Sequence, residues 1–196
     1  MRTFRVADAV GTALVLNLCF VASALPVVTA FPAAVALQRQ WTDHAHGRPC
    51  GVIPFARAFV TALRQSWPLG LFYATLAVAY VSGLIFWRQT APAVAAVTTA
   101  LLVGLGAVAI AFHIALLSVS ARVRSQSWRV WPAEAGVLLL SDSPRYLLGT
   151  VAVVLAIVVI VVLPPLVLVL AGLVPAVMAR WAARDAVVPQ PAPDRT

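Results

Sequence analysis

The sequence predicts an all-α protein: a polytopic helical membrane bundle of five to six membrane segments with two interfacial amphipathic helices. Apolar residues make up 62% of the 196-residue chain and charged residues only 10%, whereas an ordinary soluble domain is roughly a quarter charged. The apolar residues form blocks that approach the roughly 20 residues a spanning helix needs. A single core of this size in water cannot bury so much apolar surface, so lipid is expected to surround most of it.

Two apolar blocks open the chain, one on each side of a Leu25-Pro26 break. The first runs from about Ala9 to Leu25, and the second, shorter block runs from Val27 to Trp41. Pro32 suits the first turn of a helix in the second block. A polar loop is expected from Thr42 to Gly51.

An amphipathic helix is predicted from Pro54 to Ser66. Its apolar residues recur every four positions, and its polar residues lie on another face, as in a helix at the membrane surface. The apolar set is Phe55, Phe59 and Leu63, and the polar set is Arg57, Thr61 and Arg64.

Two long spans follow this helix, from Trp67 to Trp87 and from Ala93 to Val119, with a tight turn at 88–92 between them. A second polar region, 122–143, contains the other predicted interfacial helix, Pro132 to Leu140.

The cleanest span runs from Tyr146 to Leu163 and is followed by Pro164-Pro165 and a last block, Leu166 to Trp181. One helix from Tyr146 to Trp181 would be about 54 Å long, against a hydrocarbon core of about 30 Å. The prolines therefore predict a hairpin. Residues 1–184 form one helical transmembrane domain, and 185–196 form a Pro-rich tail that is expected to be disordered.

The net charge of +8 comes from fourteen arginines with no lysine. They lie in short segments between apolar blocks, which favours contact with anionic headgroups over nucleic acid. If the first two blocks form a hairpin, thirteen arginines face one side and Arg88 the other. If the second block lies along the surface, eleven arginines face one side of the membrane and three face the other. The positive-inside rule favours the first arrangement, with both termini cytoplasmic. Tryptophans are expected at the interfaces, at 41, 67, 87, 128, 131 and 181.

The first 87 residues carry a family resemblance. The features appear in this order: Asp8, Asn17-Leu18, Leu25-Pro26, Phe31-Pro32-Ala33, Arg39 with Trp41, and Phe59 before Trp67. This order resembles the YesL-like family of bacterial predicted integral membrane proteins, a domain of unknown function. Arg39-Gln40-Trp41 is close to the family pattern without being identical, and the loop that follows is longer and contains two histidines.

The resemblance implies a multi-pass protein of the bacterial plasma membrane. Family members are often encoded near carbohydrate-uptake ABC transporters, so an association with such a system is expected. The family supplies no catalytic residues that could be carried over to this chain.

Candidate binding residues are few. Asn17 and His113 are polar side chains inside predicted spans and could line a cavity; a helix-to-helix hydrogen bond is the structural alternative for each. His113 is expected to be neutral and to donate a hydrogen bond to a carbonyl or hydroxyl group. Cys19 and Cys50 are not expected to form a disulfide.

No motif for enzymatic chemistry is recognisable in the sequence. We therefore expect no catalytic residues, no cofactor and no metal, although Asp43, His44, His46 and Cys50 share one loop. Candidate contacts to lipid or to a partner are the arginines of the interfacial segments, Arg57, Arg64, Arg122, Arg124 and Arg129.

Two functions from different classes fit these features. The first is a non-enzymatic accessory protein that binds transporter or sensor subunits in the same membrane and assists carbohydrate ABC transport. The second is a small permease that translocates a small solute. A polar cavity reaching Asn17 and His113 would favour the permease, and a solidly packed bundle would favour the accessory protein.

Overall fold

The computed structural model describes residues 2–122 and 127–163 together with positions 174 and 177, and all regular structure in them is helical. The elements are α1 (Arg2–Ala24), α2 (Ala30–Ala45), α3 (Val52–Trp87), α4 (Pro92–Arg122), α5 (Trp131–Ser141) and α6 (Ser143–Val162). This confirms the all-α fold for the described residues. The predicted Pro164-Pro165 hairpin, the tail 185–196 and all but two residues of the last block lie outside them.

The Leu25-Pro26 break separates α1 from α2. Pro26 is extended, and a 3-10 turn at Val27–Thr29 leads into α2. The hydroxyl of Thr29 lies 2.6 Å from the carbonyl oxygen of Ser23 and 2.7 Å from that of Pro26, which ties the turn to the end of α1. The two helices pack against each other across this short connection, as adjacent helices joined by a tight loop do.

The predicted polar loop at 42–51 is wrong at its start, because α2 continues to Ala45. The hydroxyl of Thr42 bonds the carbonyl oxygen of Gln38 within the helix, so this polar residue does not end it. The helix ends where Gly47 adopts a left-handed φ of 69°, a conformation that suits glycine at a helix C-terminus. The amides of His46 and Arg48 then bond the carbonyl oxygen of Asp43.

The predicted interfacial helix and the span after it form one helix, α3, with non-helical backbone at Ser66. Pro68 causes this local break, because proline lacks an amide proton and its ring clashes with the carbonyl four residues earlier. The hydroxyl of Ser66 donates to the carbonyl oxygen of Ala62, 2.8 Å away. Before the break, Phe55 is buried while Arg57 and Arg64 are exposed, which confirms the predicted amphipathic pattern.

Two described helices, α3 and α4, are long and apolar enough to cross a membrane, and the count rises to three if α5 and α6 form one broken span bent by 102°. The apolar part of α1, Gly11–Ala24, is shorter, as is α2 with 16 residues. The part of α3 after the break is about 30 Å long at 1.5 Å per residue, which matches the hydrocarbon core.

The bundle has two ends with different character. We call the end where α2 leads into α3 through residues 46–51 the loop end, and the end where 88–91 joins α3 to α4 the turn end. Because α3 and α4 are antiparallel, Arg122 at the end of α4 also lies at the loop end. Toward the turn end, α3 and α4 expose apolar side chains such as Val78, Ile85, Val97 and Leu101.

The core lies toward the loop end. There α2 packs against α1, α3 and α4, and α4 packs against α5 and α6. Trp131, which was predicted at an interface, is completely buried in the bundle, so its ring contacts protein and not headgroups. Trp131 and Ala135 form the inner face of α5, so the indole fills the core that α5 covers.

Gly70 sets the distance between α3 and the start of α2. A Cβ atom on Gly70 would collide with the carbonyl oxygen of Val28 and would lie 3.2 Å from Cδ of Pro32. The backbones therefore approach as closely as a glycine allows, as small residues permit in membrane helix packing. Gly104 on α4 has open space where its Cβ would be.

Gly70→Ala is expected to lower the free energy of unfolding by about 1–3 kcal/mol, because the added methyl group must push two backbones apart. Gly104→Ala is the matched control and should leave stability unchanged or raise it by up to about 1 kcal/mol, since alanine is the better helix former. Thermal unfolding of both variants in the same detergent measures the difference. Equal stability of the two variants would contradict this packing.

Candidate functional site

The polar C-terminal part of α2 is the most unusual feature of the core. Residues 31–40 are buried on every side of the helix, although they include Gln38, Arg39 and Gln40 in succession. Buried polar groups need hydrogen-bond partners, and a buried charge is costly without them. Three such side chains at the centre of a bundle therefore mark a candidate site for polar interactions.

Arg39 connects α2 to the loop-end part of α3. Its Nη2 donates a hydrogen bond to Oε1 of Gln65 at 2.9 Å, and the arginine is only 6% exposed. A guanidinium group supplies several donors in a fixed plane. From sequence alone Arg39 looked like a helix-end residue and was not predicted as a site residue. The available signal was the run of three polar residues that follows an unbroken apolar stretch in α2.

His113 lies against aromatic rings. Its imidazole contacts Tyr73 edge-on at a centroid distance of 5.1 Å and Phe31 at 5.6 Å, while Phe31 and Tyr73 stack at 5.2 Å. We call these three side chains the aromatic layer; it joins α2, α3 and α4. Within the described residues no hydrogen bond from His113 is found, so the expected donation to a carbonyl or hydroxyl group is replaced by ring contacts.

Asn17 is 1% exposed and lies beside Leu16, which is also buried. It belongs to α1, which packs against α2 and α3, whereas His113 belongs to α4. The two candidate binding residues thus lie on different helices, and both helices contact α2.

The candidate arginines lie on the outside at the loop end. Arg57, Arg64 and Arg129 are exposed and Arg122 is half-buried; Arg124 lies outside the described residues. Arg129 is 6.0 Å from the ring centroid of Trp128, a geometry that fits a cation–π contact. Arg88 is at the opposite end. Among the described residues, these four arginines therefore lie at the loop end, as both predicted arrangements require.

The loop between α2 and α3 is folded. Arg48 pairs with Asp43 at 3.0 Å, and His44 packs edge-on against Trp41 at 5.8 Å. The Nδ1 atom of His46 lies 2.6 Å from the carbonyl oxygen of Thr42. Three or more metal-ligating side chains do not come together anywhere in the described part of the chain.

Cys50 in this loop is half-buried, and its Sγ lies 3.4 Å from the carbonyl oxygens of Gln40 and Arg48. Burial raises the pKa of the Cys50 thiol, and the nearby Asp43 carboxylate raises it further. Both effects disfavour the thiolate, which is the reactive form. Cys50 is therefore expected to react slowly at neutral pH.

No protein-family model matches this chain, and no curated protein or solved structure matches it.

With Cys19 replaced by serine, the rate of maleimide addition to Cys50 should keep rising with pH past the ordinary thiol range. Asp43→Asn should increase the rate several-fold at pH 8, because removing the negative charge lowers the thiol pKa and increases the thiolate fraction. Asp142→Asn, which removes a carboxylate at the start of α6, is the control and should have no effect. A pH profile unchanged by Asp43→Asn would show that Asp43 does not act on this thiol.

Proposed function

We propose that this chain is a non-enzymatic accessory protein of the bacterial plasma membrane that binds transporter or sensor subunits in the same bilayer. The main support for the proposal is the apolar surface that the α3–α4 pair leaves exposed. Toward the turn end these helices contact each other through Gly83 against Leu102 and Gly106 against Tyr80. Their other faces are apolar and exposed, so they are available to lipid or to another membrane helix.

One exposed face of α4 favours a helix partner. Ala96, Ala100 and Gly104 recur every four residues and are all exposed. Small residues at this spacing allow a second helix to approach closely, and van der Waals packing then holds the pair together in a bilayer. Gly104 lies directly opposite the face that packs against α3, which leaves this surface open.

The alternative of a small permease needs a polar route through the bundle. Toward the turn end, the described faces of α3 and α4 are mainly apolar, and the hydroxyls of Thr75 and Thr98 bond carbonyl oxygens of their own helices. The aromatic layer lies between these faces and the polar residues of α2. Asn17 belongs to α1 and His113 to α4. This arrangement supports the accessory function over solute transport.

The resemblance to the YesL-like family suggests a carbohydrate ABC transport system as the partner. We further propose five to six membrane segments with both termini and the loop end in the cytoplasm. Two features support this arrangement: the short connection between α1 and α2, and the exposed arginines at the loop end, since basic residues favour the cytoplasmic side.

Gly104→Ile is expected to reduce the amount of partner recovered when the tagged protein is purified in mild detergent after crosslinking, because the larger side chain blocks close helix approach. Leu105→Phe is the control, since it adds bulk on a neighbouring exposed flank of the same helix, and it should leave recovery unchanged. Both variants should unfold at the wild-type temperature. If the wild type is repeatedly recovered as a monomer with no crosslinked partner, the accessory function is refuted.

Cys50 also reports on topology. In a Cys19→Ser background it should resist a membrane-impermeant maleimide at pH 8 in intact cells and react once the cells are permeabilised. Gln89→Cys, introduced without Cys19 and Cys50, is the opposite control and should react in intact cells. Labelling of Cys50 from outside would place the loop end outside and reject the proposed orientation.

A further inference from the structure

The exposed side of the first part of α3 carries apolar and basic residues in alternation. Its members follow each other at steps of four and three residues, so they lie on one face of the helix. All five side chains are exposed, and they are Ile53, Arg57, Val60, Arg64 and Trp67. We call this set the α3 stripe. The opposite face of the same segment is buried, at Phe55, Ala62 and Ser66.

The two arginines of the α3 stripe carry charge that no acidic group balances. Among the described residues, their side chains form neither a hydrogen bond nor an ion pair. Arg48, by contrast, pairs with Asp43 at 3.0 Å, and Arg145 pairs with Asp142 at 3.1 Å. The whole of α3 contains neither aspartate nor glutamate. The stripe therefore presents positive charge that is complementary to an anion.

The alternation in the α3 stripe fits neither water nor hydrocarbon alone. In water, Ile53, Val60 and Trp67 would leave apolar side chains uncovered, since they are 46% to 65% exposed. In hydrocarbon, a charged arginine is costly. The boundary between the two suits both kinds of residue. There the arginine stem packs along apolar surface while its guanidinium reaches the headgroups, and tryptophan favours the same level.

The kink at Ser66 allows the α3 stripe to follow this boundary. After the kink, α3 matches the hydrocarbon core in length. Before it, the stripe is about 21 Å long at 1.5 Å per residue, whereas the headgroup layer on each side is only about 5–8 Å thick. All five residues reach the headgroups only if the segment lies along the membrane surface. The non-helical backbone at Ser66 lets the segment leave the direction of the span.

A second helix at the same end has the matching geometry. α5 meets α6 at 102°, so α5 lies close to the membrane plane when α6 crosses the bilayer. Because α5 follows the end of α4, it belongs to the loop end. Val137 and Leu140 on its outer side are exposed, and Arg129 with Trp128 precedes it. Two separate helices thus present apolar and basic groups together at the loop end.

We propose that the α3 stripe binds the headgroups of anionic phospholipids. Arg57 and Arg64 contact the phosphate oxygens, whose geometry a guanidinium matches, and the apolar members of the stripe lie among the upper parts of the acyl chains. The sequence left a lipid and a protein partner open for these two arginines, and the alternation with exposed apolar residues favours the lipid. This binding goes beyond the accessory function and needs no protein partner.

The experiment uses the purified full-length chain in nanodiscs of phosphatidylcholine and phosphatidylglycerol in equal amounts. Val60→Cys, in a background of Cys19→Ser and Cys50→Ser, carries a bimane fluorophore between the two arginines. A fraction of one lipid or of the other carries a nitroxide quencher near the top of its acyl chains. Quenching by labelled phosphatidylglycerol should exceed that by labelled phosphatidylcholine about threefold or more, because each arginine near an anionic surface adds to the attraction.

Arg57→Gln together with Arg64→Gln should make the two lipids quench equally. The matched control is Arg48→Gln together with Arg145→Gln, which removes the same amount of charge from arginines that are paired with aspartates; it should keep the preference. Val78→Cys is exposed on the span of the same helix, and a fluorophore there should show no preference.

Salt gives a second measurement that needs no arginine substitution. Raising the ionic strength from about 0.1 M to about 1 M shortens the Debye length from about 10 Å to about 3 Å. The preference at position 60 should therefore fall toward equality in the otherwise unchanged labelled protein. A preference that persists at high salt would contradict an electrostatic origin.

Three further results would overturn the proposal. Absence of quenching by both lipids at position 60 would place the α3 stripe in water. Equal quenching by both would show that its arginines do not select anionic lipid. A preference that survives Arg57→Gln with Arg64→Gln, or that both double variants remove alike, would assign it to other groups or to net charge. Because no protein partner is present, none of these outcomes depends on the accessory function.

Discussion

The enclosure of α2 is the constraint on which the rest of the structure depends. This helix contacts α1, α3 and α4, and its residues 31–40 are buried all round. Such packing requires close approach, which Gly70 permits at the carbonyl of Val28. Because α2 is enclosed, its polar residues cannot turn to water or to headgroups as they would at a membrane surface. A hydrogen-bond partner for these residues can come only from inside the bundle, as Gln65 does for Arg39.

The bundle combines two regions with different surfaces. Toward the turn end, α3 and α4 contact each other and expose apolar faces of a length and composition that fit a membrane. Toward the loop end, several helices pack together and enclose polar groups, while exposed arginines surround them. This division explains how a chain with so few charged residues combines a membrane anchor with a polar interior. The exposed face of α4 in the apolar region is the surface on which the proposed accessory function depends.

Local chemistry determined the helix boundaries that the sequence predicted well. Trp87 ends α3 where the span was expected to end, and the Pro26 break separates α1 from α2. The boundaries that differed involve polar residues. Thr42 and Asp43 looked like a loop, yet both belong to α2. The Thr42 hydroxyl donates to the carbonyl oxygen of Gln38, the Asp43 carboxylate pairs with Arg48, and Gly47 supplies the terminating turn. Local polarity alone does not show whether a residue ends a helix or lies inside it.

The sequence by itself determined that the described chain is helical, that it contains helices apolar enough for a membrane and that arginines gather at one end. These properties follow from apolar block length, proline positions and the cost of burying charge, all of which are local. Only the tertiary structure decided that Trp131 is in the core, that His113 lies against Phe31 and Tyr73, and that Gln38 and Arg39 are buried. Those facts depend on which helices are neighbours and in what register, and that is set by contacts between residues distant in the chain.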